Sequence, residues 1–363
     1  MEALTVVVVI LFALRLIFTV INYFITPTFK FGKNLKDNPK ISVLIRCDNE
    51  YHRLGYVMEL MHNLSYPNIE IIIALYRTSA HSLSIIEEHA KVDSRFRLLY
   101  IDTCRLGWHC SNWINFQLGN KAKGNYLLFI DSDIDILPGA IEVLIVYMKN
   151  KKLSLLSVFP HYELHTRAGK IVYPIFTKLY YMLVPRWSFP KYKDPLFDIA
   201  GNNFLFFEGE AYRLFQPFEE VKNESKSAKA IVDYYNGENL KMDAIVSNRN
   251  VLLYGSLTWK RNLVDASKNI MDIFGNSFIA AFSYITFNIL WIIPIYISQM
   301  WGVLFLIVLM MVANNIILSR LINVKIGDGL IYGLPQFISL IILVWFSLLH
   351  KIKKSRAVKK DLK

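Results

Sequence analysis

The sequence predicts an α/β fold with a mixed, mainly parallel sheet flanked by helices, and transmembrane helices at both ends. Long apolar stretches stand near both termini, and between them short apolar runs alternate with helix-like stretches. A composition that is 54% hydrophobic over 363 residues is too apolar for an ordinary soluble domain of this length. We therefore expect part of the chain to lie in a bilayer and the rest to form one large domain.

The first apolar stretch, residues 4–25, is long enough to cross a hydrocarbon core of about 30 Å and is interrupted only by Arg15. A cleaved signal peptide would be shorter, would follow a basic segment and would end at a small-residue cleavage site. We interpret residues 1–29 as an N-terminal transmembrane anchor.

Three further apolar stretches predict a C-terminal membrane region of two to three helices over residues 271–350. Lysines follow the first stretch while only Glu2 precedes it, and the positive-inside rule then places residues 30–270 in the cytoplasm. Residues 351–363 are predicted to be a basic cytoplasmic tail. Three late crossings would put that tail outside, so we expect one late segment not to cross; the candidate opens with Gly329, Gly333 and Pro335.

The central domain begins with four strand-like runs that are each followed by a helix-like stretch, which is typical of a parallel sheet covered by helices. These runs are continuously apolar, as strands buried on both faces should be, and they cover residues 41–47, 69–76, 96–102 and 126–131. Ligands of such sheets collect at the carboxyl ends of the strands. Cys47, Cys104 and Cys110 have no paired spacing, so we expect neither a disulfide framework nor a zinc site.

The stretch NYLLFIDSDIDILPGA, residues 125–140, ends the fourth run in Asp131, Asp133 and Asp135. Carboxylates one residue apart repel each other unless a cation lies between them. Mg²⁺ or Mn²⁺ held by Asp131 and Asp133 would keep positions for phosphate oxygens. The structural alternative is that Asp131 caps a turn, Asp133 is solvated and Asp135 begins the next element.

Three stretches together resemble the family 2 glycosyltransferases with a GT-A fold: ISVLIRCDNE, LGWHCSNWINFQLGNKAKGNYLLFIDSD and DIAGNNFLFFEGEAY. The resemblance is strongest to membrane-bound members that glycosylate lipids, the ceramide glucosyltransferase-like and carotenoid glycosyltransferase-like branches. It implies a nucleotide-sugar donor bound by Asn49, Glu50, Trp108 and Asp131. It also implies that Asp131 lies near the ribose and that Asp133 holds the metal between the two phosphates.

The chain departs from that family at several positions. Arg46 occupies the usual proline position of the first strand, and Tyr76 stands where an aspartate usually binds the base; Tyr76 could stack on the base instead, or pack in the core. The Glu-Asp pair that activates the acceptor should fall near Glu224, whose neighbour is Ser225. Glu224 is our leading candidate for the catalytic base, followed by Glu220 and Asp233; the alternative for Glu224 is a solvated loop.

Two functions follow from these observations. The first is a metal-dependent, inverting, hexosyltransferase-like enzyme of the cell membrane, multi-pass and with its catalytic domain in the cytoplasm. It would transfer a sugar from a nucleotide-sugar to a lipid or polyprenyl-type acceptor, with no nucleic-acid partner. The second is a non-catalytic protein of the same fold that binds a partner enzyme or a lipid. A transporter is disfavoured because the membrane segments carry little charge beyond Arg15.

Overall fold

The computed structural model describes residues 2–26, 35, 37–48, 54–131, 134–164, 166–183, 204–247, 249–254, 263, 266–267, 270–271 and 273–361. The chain forms two compact units. We call the first the helix unit; it comprises Met1–Thr26, Tyr162–Ser188 and Gly255–Lys363. We call the second the sheet unit; it comprises Pro27–His161 and Phe189–Tyr254.

The sheet unit opens with alternating strands and helices, as the apolar runs predict. Their bounds are β1 (Ile41–Asp48), α2 (Leu54–His62), β2 (Ile69–Tyr76), α3 (Ala80–Val92), β3 (Phe96–Ile101), α4 (Cys110–Lys121), β4 (Tyr126–Asp131), β5 (Ile134–Ile136) and α5 (Ala140–Lys151). The later elements are β6 (Leu155–Phe159), β7 (His161–Glu163), β8 (Phe204–Glu208), α7 (Gly209–Phe215), α8 (Pro217–Glu220), α9 (Ser227–Gly237), β9 (Met242–Val246) and β10 (Val251–Tyr254).

The main sheet has seven strands in the order β3-β2-β1-β4-β8-β6-β9. Strands β1 to β4 are parallel to one another, which confirms the predicted α/β fold. Strand β8 runs antiparallel to both of its neighbours, so the sheet is mixed. Strand β2 is buried at every residue but Tyr76, because helices cover both faces of a parallel sheet.

An aromatic cluster fixes the far half of the sheet unit against β4. Phe129 lies 5.4 Å from Tyr212 and 4.9 Å from Phe218, measured between ring centroids, and Phe207 closes the cluster at 5.6 Å. Tyr212 reaches helix α4, where a side chain larger than hydrogen at Gly119 would collide with its ring. This packing holds α4, α7 and α8 on one face of the sheet.

The helix unit contains the apolar segments from both ends of the chain. Its helices are α1 (Glu2–Ile25), α6 (Arg167–Leu183), α10 (Phe278–Leu290), α11 (Ile292–Ile297), α12 (Trp301–Leu321), α13 (Ile326–Ile331) and α14 (Gly333–Asp361). Four helical segments among the described residues are long and apolar enough to cross a membrane: Glu2–Ile25, Phe278–Ile297, Trp301–Leu321 and Gly333–Lys351. The predicted helices at both ends are thus present.

In the late segment that we expect not to cross the bilayer, the residues from Gly333 onward form one continuous helix. Gly333 and Pro335 stand in the first turn of α14, where proline is tolerated because its missing N–H has no partner in the helix, while Gly329 belongs to the separate short helix α13. Whether α14 crosses the bilayer stays a prediction.

Helix α6 belongs to the helix unit, although the sequence analysis places its residues inside the central domain of residues 30–270. It packs against α1 and α14. Its apolar positions are interspersed with Arg167, Lys170, Lys178 and Pro174, so no uninterrupted apolar stretch marks it in the sequence.

The sequence predicts no disulfide framework, but two of the three cysteines pair in the structure. Cys104 and Cys110 are bonded, with their Cα atoms 5.3 Å apart, a separation typical of disulfides. The loop after β3 turns back at Gly107, which adopts a positive φ of 80°, and brings the two residues together. Cys47 is buried and does not take part in this disulfide.

Candidate functional site

The candidate site lies at the carboxyl edge of β1 to β4. Ligands of open α/β sheets collect at this edge because loops, rather than hydrogen-bonded strands, surround it. Helix α4 follows β3 and runs back across β1 and β2, so its first turn, with Trp108 just before it, stands at the same edge. The edge therefore combines strand ends with the start of a helix.

Strand register places three of the relevant residues on one face of the sheet. Arg46 of β1 is opposite Asp131 of β4 and opposite Ala74 of β2. Tyr76 follows Ala74 by two residues and therefore points to the same side, because side chains alternate along a strand. Asp131 shares that side with Phe129, which faces α7 and α8. Tyr76 is level with Asp48 of β1, two residues beyond Arg46, so Tyr76 and Asp131 are about 12 Å apart: two interstrand spacings across the sheet and two residues along the strand.

Asp131 forms an ion pair with Arg46. The guanidinium Nη2 lies 2.8 Å from the Asp131 Oδ1, and the side chains are only 17% and 26% exposed. Arg46 stands where the resembled family usually has proline, so the family pattern does not predict a cation at this position. Part of the charge compensation that we assigned to a metal is supplied by the protein itself.

Of the two residues predicted to bind a divalent cation, only Asp131 is among the described residues. Asp133, the second predicted ligand, lies outside the described residues, as do Asn49 and Glu50. Within the ranges that the structure describes, no group of three His, Cys, Asp or Glu residues could hold a metal ion. The Asp131 carboxylate at the strand end is still the donor type that Mg²⁺ and Mn²⁺ prefer, and these ions need only one or two protein carboxylates beside substrate phosphates.

Trp108 is half-buried in an aromatic cluster at the start of α4. Its ring centroid lies 5.2 Å from that of Trp113 and 5.0 Å from that of Phe116. Arg105 lies 5.9 Å above the Trp113 ring. The cluster fixes the ring of Trp108, so the residue presents a preorganised edge of the site.

Glu224 is brought to the same edge by contacts of its backbone. Asn112 of α4, which is fully buried, donates from Nδ2 to the Val221 carbonyl at 2.7 Å and to the Glu224 carbonyl at 2.9 Å. The His109 N–H donates to the Lys222 carbonyl at 2.6 Å. The Glu224 side chain is exposed. Asn112 is a positioning residue that the sequence analysis missed, since an asparagine in a helix carries no motif.

Two other predicted site residues are placed differently. Tyr76 is half-buried rather than a core residue, and the Arg77 guanidinium lies 5.2 Å from its ring centroid. Asp233 is exposed on α9, and no ion pair or hydrogen bond joins its side chain to any described residue of the edge. Glu220 is exposed at the end of α8, a few residues before the loop that Asn112 holds.

Comparison with known proteins supports the fold and the family. The family model described as "Glycosyl transferase family 2" matches residues 42–221. The Bacillus subtilis (strain 168) protein named "Putative glycosyltransferase EpsH" is 32% identical over 106 residues, which cover 29% of this chain and 29% of EpsH. The matched region thus spans under a third of that relative's length.

A solved structure extends the likeness to almost the whole chain. The mannosyltransferase PcManGT from Pyrobaculum calidifontis, solved in complex with GDP-Man and Mn²⁺, aligns with 96% of this chain and 99% of its own at a TM-score of 0.51 and 10% identity. At this identity the comparison establishes the fold. The parallel sheet of β1 to β4, the shared architecture and the family match together identify residues 42–221 as a glycosyltransferase family 2 domain with a GT-A fold.

Proposed function

We propose that this chain is a membrane-bound, inverting glycosyltransferase that transfers a sugar from a nucleotide-sugar to a lipid or lipid-linked acceptor. The observation that carries the proposal is the carboxyl edge of the family 2 domain, where β4 ends in the Asp131–Arg46 pair and Asn112 of α4 holds the Glu224 loop. Four helical segments apolar enough to cross a membrane support a lipid acceptor, because such a substrate is reached from the bilayer. The sheet unit would face the cytoplasm.

Asp131 and Asp133 would hold Mg²⁺ or Mn²⁺, which would neutralise the charge on the leaving diphosphate. The chain's own residues orient the reactants. Tyr76 offers a π face on which the base of the nucleotide stacks, and Asp131 lies near the ribose. Asn49, Glu50 and Trp108 would complete the donor site.

Glu224 is the proposed catalytic base. Its carboxylate would accept the proton of the acceptor hydroxyl, and the oxygen would attack the anomeric carbon from the side opposite the diphosphate, which inverts the configuration. The hydrogen bonds from Asn112 fix the loop, since a base contributes only when it is held within hydrogen-bond reach of its proton. Asp233 remains the second candidate.

A non-catalytic role is favoured by one observation. Arg46 pairs with Asp131, so the strand-end carboxylate has a protein cation that can satisfy it. A chain that had lost donor binding could keep this pair for stability and use its surface to bind a partner enzyme or a lipid.

Calorimetric titration of the solubilised full chain separates the two functions. UDP, GDP and their sugar conjugates are titrated with and without Mn²⁺ into the wild type, Asp133→Ala and the control Glu238→Ala, an exposed acid at the end of α9. Metal-dependent binding that is lost only in Asp133→Ala supports the enzymatic function, and the nucleotide that binds identifies the base of the donor. A folded protein that binds none of these nucleotides contradicts the enzymatic function.

A further inference from the structure

The helix unit contains two cationic side chains in apolar surroundings. Lys178 of α6 is only 6% exposed. Arg15 lies inside the 24-residue helix α1, which has no other charged residue besides Glu2 at its start. Helix α1 is apolar enough to cross a membrane, where a charged residue such as Arg15 is expensive and marks a functional site.

Lys178 is surrounded by neutral acceptors. Its Nζ donates to Gln336 Oε1 at 2.9 Å, to Asn315 Oδ1 at 3.1 Å and to the Gly329 carbonyl at 3.3 Å. These bonds satisfy its N–H groups but leave its positive charge without an anion. Asp328, which precedes Gly329, is paired with Lys170 at 2.9 Å.

Arg15 has neutral partners as well. Its Nη1 donates to Asn288 Oδ1 at 3.2 Å and its Nε to Met182 Sδ at 3.0 Å. Among the residues that the structure describes, no carboxylate lies within 4.0 Å of Arg15 or Lys178. Two positive charges in one unit therefore have no negative partner within the described part of the protein.

Lys178 borders a cavity of about 490 Å³, and Arg15 bonds two of the residues that line it. Lys178, Asn288, Asn315 and Gln336 form its polar part, and Arg15 reaches it through Asn288 and Met182. The rest of the lining is apolar and comes from α6, α10, α12 and α14, with Leu179, Trp291, Met311, Phe337 and Leu340 among its members. The volume is typical of a small-molecule site.

The chemistry of the cavity indicates what it binds. A buried cation without a counter-charge is destabilised, so the site favours an anion beside Lys178, with Arg15 behind Asn288 and Met182 adding to the positive potential. The apolar lining favours a hydrocarbon chain attached to that anion. We propose that this cavity binds a lipid through its phosphate head group, with the chain against the apolar lining. The proposal stands whether or not the sheet unit transfers a sugar.

Two kinds of lipid share this chemistry: an anionic membrane phospholipid and a polyprenyl phosphate. The experiment uses the full chain in neutral detergent and a fluorescent phosphatidic acid, whose binding is followed by thermophoresis. Unlabelled phosphatidic acid, polyprenyl phosphate, phosphatidylcholine and inorganic phosphate are the competitors. The competitor that displaces the probe at the lowest concentration identifies the kind of lipid that the cavity binds. The proposal is supported if that competitor is phosphatidic acid or polyprenyl phosphate.

Variants test whether the cavity is the site. Lys178→Met and Arg15→Met should each raise the Kd for phosphatidic acid at least tenfold, while Lys325→Met, an exposed charge loss in the same unit, should change it less than twofold. Lys178→Arg keeps the charge and should bind within a few-fold of the wild type, which guards against loss of fold in Lys178→Met. Equal displacement by phosphatidylcholine or inorganic phosphate, or unchanged binding in folded Lys178→Met, would overturn the proposal.

Discussion

At the scale of single residues, Arg46 competes with a metal ion for the Asp131 carboxylate. The guanidinium lies 2.8 Å from the carboxylate and would share it with a metal ion, which carries charge of the same sign. With water-like screening, a divalent ion about 4 Å from a unit charge is destabilised by about 2 kcal/mol. We expect Arg46→Leu to lower the Kd for Mn²⁺ about tenfold or more, measured by calorimetry. Lys91→Leu, an exposed charge loss on α3, is the control; unchanged Mn²⁺ affinity in Arg46→Leu would mean that the two cations do not share Asp131.

Tyr76 is the residue whose role depends most directly on stacking. Aromatic stacking on a base contributes about 1 to 3 kcal/mol. Tyr76→Leu should therefore raise the Kd for the nucleotide that binds best about tenfold or more. Tyr76→Phe keeps the ring, so its Kd should stay within about threefold of that of the wild type. Titration of both variants checks this, and equal loss in the two would assign the effect to the hydroxyl instead.

Asp93 gives the sheet unit an acid-sensitive contact. The Arg95 guanidinium, which bonds both carboxylate oxygens, lowers the pKa of Asp93 from 3.8 to about 2, and the carboxylate is only 8% exposed. Because the pKa is lower in the folded state, this contact stabilises the protein above about pH 4, and the stabilisation is lost as pH falls from about 4 to about 2.

We expect Asp93→Asn to reduce the free energy of unfolding at pH 7 by about 1 to 2 kcal/mol and to flatten the pH dependence of that free energy between about pH 4 and about pH 2. Thermal unfolding of the full chain at pH 3 and 7 tests this, with Asp37→Asn, an exposed ion-paired acid, as the control; equal losses at both pH values would contradict it.

At the scale of secondary-structure elements, helix α4 organises the edge through one buried side chain. Asn112→Ala removes the side-chain donor to the Glu224 carbonyl and one of the two donors to the Val221 carbonyl, at a cost of about 1 to 3 kcal/mol. Hydrogen exchange should rise in residues 221–226 and stay unchanged in β1 and β4. Asn115→Ala on the same helix is the matched control, and uniform exchange across the sheet unit would mean general destabilisation rather than release of the Glu224 loop.

The elements differ in how much the sequence shows. Strands β1 to β4 could be predicted because continuous apolar runs such as IEIIIALY are typical of strands buried on both faces. The antiparallel direction of β8 could not, because apolar periodicity carries no strand direction. Helix α6 was missed because its face toward α1 and α14 is interrupted by Lys170 and Lys178. The pairing of Arg46 with Asp131 depends on register between β1 and β4, which sequence spacing alone does not fix.

At the scale of the whole molecule, charge and helix number make opposite predictions about the tail. Four crossings by the apolar helices would place the tail on the side opposite the sheet unit. Half of the formal charge of +12 lies at the end of the chain, where residues 351–363 contain seven basic residues and one acid. Basic segments next to a span stay on the cytoplasmic side.

We give the charge more weight and expect the tail and the sheet unit to share the cytoplasmic side, with one of the late apolar helices not crossing. A C-terminal epitope tag and an antibody against the sheet unit, each probed by protease in inside-out and right-side-out vesicles, test this. Cleavage of both in inside-out vesicles alone is the expected result. Replacing the basic residues of 351–363 by glutamine should then allow the tag to appear outside in part of the population, because the charge that retains it has been removed. A wild-type tag that is cleaved only in right-side-out vesicles would mean that all four helices cross and that α14 carries the tail outward against its charge.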